Sequence, residues 1–533
     1  MHGFPSPPEA QAVSSLPSSS RVELRAVVFD LYGTLIEIGL PSFHKGIPRA
    51  LAVGFRPWME LVRHRLLTTA FDGKEELIEF VLDELPVRPG PAARQSAVEL
   101  LDEELKSVTI VAGAVSLLAF LKNRGYKLGL ISNLSSPHRQ PVQKLGLSDY
   151  FDATCFSCDE GIKKPTPEIY SRLCERLNVA PDQCLMVGDS LKNDVEASTA
   201  LGMRALLVGK SSTGIRSVET VAEIGWMALD GEECPRLLGV GDRLEAARPH
   251  SPSVIREMTP LADSEQGRYN LVARVRVAVG RAPPSVEEFF AKRYLSPESA
   301  YVEELAHGVV SQLGLPCTRA VLIDGDEPCL LTTSAKGSKF RREDVDAPLA
   351  YEVARHAAAA YIFANADFRA HNAIVSRHES HASITMIDLE HFFFSLALDM
   401  TGLRDPYRPH TIDALSKAEL SRRIRRRVLT ERTTRRAMRS FLELDRLGSE
   451  IGRAFKSGWV ETFDLARADS ASLCGRLEKR IYQAPYLVIG TRSHRRAMAR
   501  MDVEDIESRM LQDAEAIFPN LVALKRPVAG SDG

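Results

Sequence analysis

Four consecutive apolar residues, Ala26-Val27-Val28-Phe29, are followed at once by Asp30 and, three residues later, by Gly33. An unbroken run of this kind reads as a strand buried on both faces of a parallel sheet, because a half-exposed strand would alternate. It delivers an acid to the strand's carboxyl end, where open α/β sheets bind their ligands, and Gly33 sits where the backbone must turn sharply. A carboxylate there is a nucleophile, a metal ligand or both. The plainer alternative is an Asp that caps a turn. One such Asp favours the plainer reading, so the choice rests on whether other strand ends carry matching chemistry.

The pattern recurs downstream. Lys127–Ile131 is a second apolar strand and ends in Ser132-Asn133, a hydroxyl and an amide able to donate hydrogen bonds to phosphate or another anion. Phe151–Phe156 is strand-like and leads to Lys163-Lys164-Pro165-Thr166-Pro167, a proline-punctuated helix entry. Leu185-Met186-Val187 ends in Gly188-Asp189-Ser190, with Asn193-Asp194 opening the next helix, and residues 203–208 give one more strand. Ala112–Lys122 reads as an amphipathic helix between two of these strands. Strands alternating with helices make a doubly wound, Rossmann-like parallel sheet. Residues 40–108 instead carry helical spacing, as in Pro57–Leu67 and Glu75–Leu85, and form a lid-like insertion just after Asp30. Together the strand ends supply a nucleophilic carboxylate, an anion-binding hydroxyl, a fixed cation and two further carboxylates. That oxygen-rich set suits Mg²⁺.

Four motifs carry a resemblance: Asp30-Leu-Tyr-Gly-Thr34, Ser132-Asn133, Lys164-Pro165 and Gly188-Asp189-Ser190-Leu-Lys-Asn193-Asp194. In this order they resemble those of the haloacid dehalogenase superfamily, over residues 22–232, with 40–108 as the family's helical cap. The resemblance implies that Asp30 forms an aspartyl-phosphate and that Ser132 holds the transferring phosphoryl group. It implies that Lys164 neutralises charge on nucleophile and phosphate, and that Thr34 and Asn133 serve phosphate binding. Its magnesium set is Asp30, Tyr32, Asp189 and Asp194. Family phosphatases carry a second Asp two positions after the nucleophile, where this chain has Tyr32, as the family's dehalogenases do. A phenol with a pKa near ~10 is a poor base at neutral pH. The dehalogenase branch needs no metal and lacks the first acid of the last motif, whereas Asp189 is present here. Phosphomonoester hydrolysis is therefore the expected chemistry, and halide displacement from carbon the alternative.

At 533 residues the chain holds more than one domain, and a formal net charge of −2 gives no general drive toward nucleic acid or membranes. Eight scattered cysteines suit a reducing, cytoplasmic setting, and Cys155-x-x-Cys158 lacks the second pair a zinc site would need. Residues 1–21 and 521–533 read as tails. Neither Gly209-Lys210-Ser211 nor Gly239-Val-Gly241 completes a nucleotide-binding motif.

Residues 233–266 change to Gly, Pro, Glu and Ser and read as a linker to a second domain over 267–520. Tyr269–Gly280 alternates as an antiparallel strand, and Val286–Leu295 is a strand carrying Lys292. Ser299–Gly314 is a helix with Glu303 in its first turns. Ala320–Asp324 and Cys329–Thr333 form a hairpin, Leu349–Phe363 is a buried helix, and Ile384–Ile387 is a strand ending in Asp388. Asp367 and Asn372 lie in the loop between the last two. A strand Lys, a helix Glu, Asp-x₄-Asn and a strand-end Asp resemble the working parts of protein-kinase-like phosphotransferases, nearest to the HipA-like and aminoglycoside-phosphotransferase branches. That resemblance implies an α+β kinase-like domain with a helical C-terminal lobe, and ATP as its nucleotide. Lys292 and Glu303 would serve phosphate binding, Asp367 catalysis, and Asn372 and Asp388 the metal. The other readings are an α+β domain with incidental acids, or a kinase fold that only binds a ligand and regulates the hydrolase. Arg422–Arg439 is rich in arginine; a solvated helix is favoured there over a docking face for an anionic partner. The expected substrate of the first domain is a small phosphorylated molecule.

Overall fold

The computed structural model describes residues 22–85, 90–210, 214–229, 234–244, 253–261, 263, 270–280, 284–295, 298–323, 325, 327–362, 370–378, 381–389 and 450–468. The chain separates into two compact units. The first comprises Met1–Val111, Gly125–Val221 and Leu229–Cys234; the second comprises Ala112–Arg124, Ala222–Ala228 and Pro235–Gly533.

The first unit is built on β1 (Ala26–Phe29), every residue of which is buried. A short strand β2 (Ile36–Ile38) follows, and four helices come next: α1 (Ser42–Ala50), α2 (Phe55–His64), α3 (Lys74–Glu84) and α4 (Pro91–Lys106). The helices share a core of their own around Phe43, Trp58, Leu77, Val81 and Leu101. The chain returns through β3 (Val108–Ile110), which pairs antiparallel with β2 and closes the base of the helical insertion. Strands β4 (Lys127–Ser132), β5 (Ala153–Phe156), β6 (Cys184–Gly188), β7 (Arg204–Val208) and β8 (Ser217–Val218) complete a sheet in the order β5-β4-β1-β6-β7-β8. All of its pairings are parallel, and β1 sits between β4 and β6. The apolar runs are unbroken because the central strands meet packed side chains on both faces.

In the second unit, β9 (Ser253–Pro260), β10 (Leu271–Val279), β11 (Ser285–Arg293), β12 (Ala320–Ile323) and β13 (Cys329–Thr333) form an antiparallel sheet in the order β12-β13-β11-β10-β9. Helix α5 here denotes Ala114–Asn123, α6 Glu298–Gln312 and α7 Ala347–Ile362. A second small sheet joins β14 (Ser338–Lys339), β15 (Ala373–His378) and β16 (His381–Met386). Its residues pack with α6, α7 and Phe455 of the helix Glu450–Ala468 in one core. The unit is therefore α+β.

Two features depart from the sequence reading. Strand β9 lies inside the stretch read as a linker. Arg256 and Glu257 interrupt its apolar alternation, and Pro260 is tolerated because β9 is the last strand of its sheet and its outer edge is bridged at the opposite end, between Val254 and Arg243. Helix α5, read as part of the first domain, groups with the second unit. Asp263 accepts hydrogen bonds from the backbone N–H groups of Gly113 (3.2 Å) and Ser116 (2.9 Å) at its N-terminus, and Phe120 joins the core of β10, β11 and β13. A helix that buries residues as Ala114, Leu117, Leu118, Phe120 and Leu121 does is apolar around most of its girth, so periodicity alone did not assign it to one layer. Asp367, Arg422–Arg439 and nearly all of the expected C-terminal lobe lie outside the described residues.

Candidate active site

The carboxyl ends of β1, β4 and β6 converge in the first unit. Asp30 follows β1 and is anchored through its N–H to the Val187 carbonyl (2.9 Å), so its position is fixed by the sheet ladder itself. Lys164 reaches in from the loop after β5. Its Nζ lies 2.8 Å from Asp30 Oδ1, 2.6 Å from Asp194 Oδ1 and 3.2 Å from the Ile131 carbonyl. The ammonium is only 3% exposed. Burial works against its charge, but the Asp30 and Asp194 carboxylates outweigh that and hold its pKa above the ordinary lysine value. Asn133 pins the lysine loop from both sides: its Nδ2 donates to the Lys164 carbonyl and its Oδ1 accepts from the Lys164 N–H, both at 2.8 Å. Asn133 thus positions the cation as well as standing beside Ser132.

Asp194 is fully buried in the wide helical turn Leu191–Glu196, and its Oδ2 accepts from the Ser190 N–H at 2.9 Å. Asp189 stands exposed at the mouth. Loss of water, then the negative charges of Asp30 and Asp194, push its carboxyl up to about 6. Two glycines make this crowding of acids feasible. A Cβ on Gly188 would lie 2.3 Å from the Asp194 carboxyl carbon, and one on Gly33, whose φ is +80°, would lie 2.4 Å from Asp189 Oδ2. Oxygens of Asp30, Asp189 and Asp194 all lie within 4.8 Å of one another, a spacing one small cation can span. The Thr34 hydroxyl is buried with no hydrogen-bond partner among the described residues, and Ser132 is buried at the end of β4.

Tyr32 is the exception in the magnesium set. Its hydroxyl donates to the His138 carbonyl at 2.8 Å, so the phenol is engaged away from the carboxylates. Sequence reasoning also missed Glu104, His44 and His138, which lie near Tyr32 on the helical insertion and on the turn Ser136–Arg139. Their separation of 60 and 34 residues leaves no local signal. Cys155 and Cys158 are both buried, and burial pushes each thiol up to about 11, away from thiolate chemistry.

In the second unit, Lys292 of β11 pairs with Glu303 of α6 at 3.0 Å and with Asp388 beyond β16. Glu303 is buried; the Tyr294 hydroxyl donates to the oxygen that faces Lys292, and the other oxygen accepts from the Leu389 N–H at 3.1 Å. Burial opposes the Glu303 charge, but Lys292 dominates and holds it well below the usual carboxylate range. Asp388 has φ +64°, a left-handed conformation uncommon outside glycine. Asn372 is buried, and its carbonyl accepts from the Ile387 N–H at 2.8 Å.

Residues 24–202 match the family model described as haloacid dehalogenase-like hydrolase. A glyceraldehyde 3-phosphate phosphatase of Pyrococcus furiosus is 36% identical over 98 residues, 18% of this chain and 40% of that protein, so the chain spans about two fifths of that relative. A phosphorylated carbohydrates phosphatase of Thermotoga maritima is 29% identical over 192 residues, 34% of this chain and 84% of that protein. Among solved structures, a phosphatase of the same superfamily from Thermococcus onnurineus is 27% identical, with a TM-score of 0.28, covering 38% of this chain and 96% of that one. With the parallel sheet and the convergent ends of β1, β4 and β6, the sequence match identifies the N-terminal region of this chain as a haloacid dehalogenase-like hydrolase domain.

Proposed function

We propose that the first unit hydrolyses a small phosphomonoester through an aspartyl-phosphate on Asp30. The observation that carries this reading is Lys164 held between Asp30 and Asp194, with Asp189 beside them. The donor set is all oxygen, which fits Mg²⁺ and not a softer metal. Asp30, Asp189 and Asp194 would hold it; with the Tyr32 phenol engaged elsewhere, any ligand from Tyr32 would be its main-chain carbonyl. When bound, the ion would offset charge shared by the carboxylates and the substrate phosphate. Lys164 pairs with Asp30 and neutralises charge on the phosphoryl group, while Ser132 and the unpartnered Thr34 hydroxyl donate to its oxygens. Asp30 attacks phosphorus, the ester bond breaks, and water then attacks the same phosphorus to release phosphate.

Phosphate release from a panel of phosphomonoesters with and without Mg²⁺ tests this. Activity should need the metal, and Asp30→Asn should lower it by at least about 10³-fold. Halide release from a 2-haloacid without metal would replace the proposal by the dehalogenase reading, which Tyr32 favours. Free buried thiols fit a cytoplasmic setting, and among the described residues no helix is long and apolar enough to cross a membrane.

For the second unit we infer a kinase-like phosphotransferase, supported by the Lys292–Glu303–Asp388 cluster, which would hold ATP phosphates and a metal. ATP consumption by the purified protein that Asp367→Ala abolishes is the expected result. No ATP turnover, with a ligand bound at this unit changing phosphate release by the first, would favour the regulatory reading.

A further inference from the structure

Glu104, at the C-terminal end of α4, is a fully buried carboxylate. Its Oε2 accepts the backbone N–H groups of Phe43 (2.8 Å) and His44 (3.1 Å), and its Oε1 faces His44 Nδ1 (2.8 Å) and His138 Nε2 (2.9 Å). The carboxylate only accepts, since burial opposes its charge but the His138 and His44 imidazoles outweigh that and hold its pKa at about 2. Both facing nitrogens therefore carry protons, and that fixes the two histidines differently. The Nδ1 of His138 is taken by the Ser135 hydroxyl at 2.8 Å, so this ring is occupied at both ends. It is also buried, which favours its neutral form. His44 keeps Nε2 as its open nitrogen, and its side chain is 38% exposed.

The His44 ring borders a cavity of about 190 Å³ that it shares with Tyr32, Asn133, His138, Leu66 and Leu67. Two of the lining residues are chain neighbours of the phosphate-site groups: Tyr32 stands two residues after Asp30, and Asn133 directly after Ser132. Tyr32 cannot serve as the base there: its hydroxyl already donates to the His138 carbonyl, and burial raises its pKa further above the ordinary phenol value. The titratable groups facing His44 from the packed elements are Glu104 of α4, His138 of the turn Ser136–Arg139 and Tyr32 after β1; Trp58 of α2 donates to the His44 carbonyl at 3.0 Å.

We propose that His44, oriented by Glu104, is the catalytic acid and base of the Asp30 reaction, in the place the +2 residue Tyr32 leaves empty. This rests on the phosphatase reading. As Asp30 attacks phosphorus and the ester P–O bond breaks, imidazolium Nε2–H gives its proton to the departing oxygen, which leaves as an alcohol. Neutral Nε2 then takes a proton from the water that attacks phosphorus, the bond to Asp30 breaks, and inorganic phosphate and the imidazolium are restored. Glu104 is a positioning residue: it fixes the tautomer and supports the imidazolium.

The experiment compares an alkyl phosphate, whose leaving oxygen needs a proton, with 4-nitrophenyl phosphate, whose leaving group needs little help. His44→Ala should lower kcat on the alkyl ester by about 10²-fold or more and on the aryl ester by less than about tenfold. Added imidazole should restore part of the alkyl activity. Glu104→Gln should shift the pH profile of kcat/KM on the alkyl ester, a readout that a purely structural role would leave in place. Equal losses on both esters, no loss, or no rescue overturns the assignment while leaving Asp30 as nucleophile. Zinc or cobalt retained stoichiometrically by the wild-type protein and lost from His44→Ala also overturns it, because the same three side chains would then be a metal centre. If the wild-type protein cleaves neither ester, the phosphatase reading fails and the assignment falls with it.

Discussion

Each unit holds a lysine between two acids, and the two clusters are built differently. Lys164 comes from a loop and meets Asp30 and Asp194, both presented by ends of one parallel sheet, with all three groups nearly inaccessible. Lys292 comes from the C-terminal end of an antiparallel strand and meets Glu303 on a helix and Asp388 beyond another sheet. There Glu303 is buried while the Asp388 side chain is 38% exposed. In the first cluster the cation balances two acids that cannot leave. In the second it is tied firmly to one acid, and the other can exchange it for solvent or a ligand. A parallel sheet gathers charge at one edge, whereas the antiparallel arrangement spreads the same three groups over three elements.

The largest test of this contrast is removal of each lysine. Lys164→Met leaves two carboxylates buried against each other and should cost about 3–5 kcal/mol. Lys292→Met leaves one buried acid, which still has the Tyr294 hydroxyl and the Leu389 amide, and should cost about half as much. Amide hydrogen exchange read separately in β1 and in β11 measures the two losses locally, which avoids assuming a single unfolding transition. Equal losses would break the comparison.

The two clusters were not equally legible in the sequence. Asp30, Ser132, Lys164, Asp189 and Asp194 each end an apolar run or open a helix, so local pattern located all of them, and the sheet's carboxyl edge brings Asp30, Lys164, Asp189 and Asp194 together. Lys292, Glu303 and Asp388 were equally nameable, but nothing local says that a strand, a helix and a loop will bring them together across 96 residues. Glu104 was invisible for the same reason in stronger form. Its partners lie on another helix and a distant turn, and a Glu among the acids of α4 looks like any solvated residue. Strand β9 escaped because an edge strand need not alternate cleanly.

The clusters should also fail at opposite ends of the pH scale. The raised pKa of Lys164 means that its contribution is complete below the ordinary lysine value and is lost as pH rises through the folded value. The depressed pKa of Glu303 means that its contribution is complete above the ordinary glutamate value and is lost as pH falls toward the folded value. Exchange protection measured across pH should therefore weaken first in β1 at the alkaline end and first in β11 and α6 at the acid end. Loss of protection in both units at the same extreme would contradict the assignment of a dominant partner in each.

The smallest expected effect concerns Asp388. At φ +64° an aspartate is strained, and asparagine tolerates the same conformation. Asp388→Asn removes the charge without relieving or worsening the backbone, so the change reports the loss of the carboxylate charge that faces Lys292. With the carboxylate partly in water its attraction to Lys292 contributes about 1 kcal/mol or less, and Glu303 still holds Lys292. Urea denaturation followed by exchange in β16 should show a shift within that limit. Asp388→Gly should come out no less stable than Asp388→Asn, because glycine removes the strain at a cost in chain entropy of similar size. A loss of several kcal/mol for Asp388→Asn would mean that both acids grip the lysine as tightly as Asp30 and Asp194 grip theirs, and the difference between the two clusters would vanish.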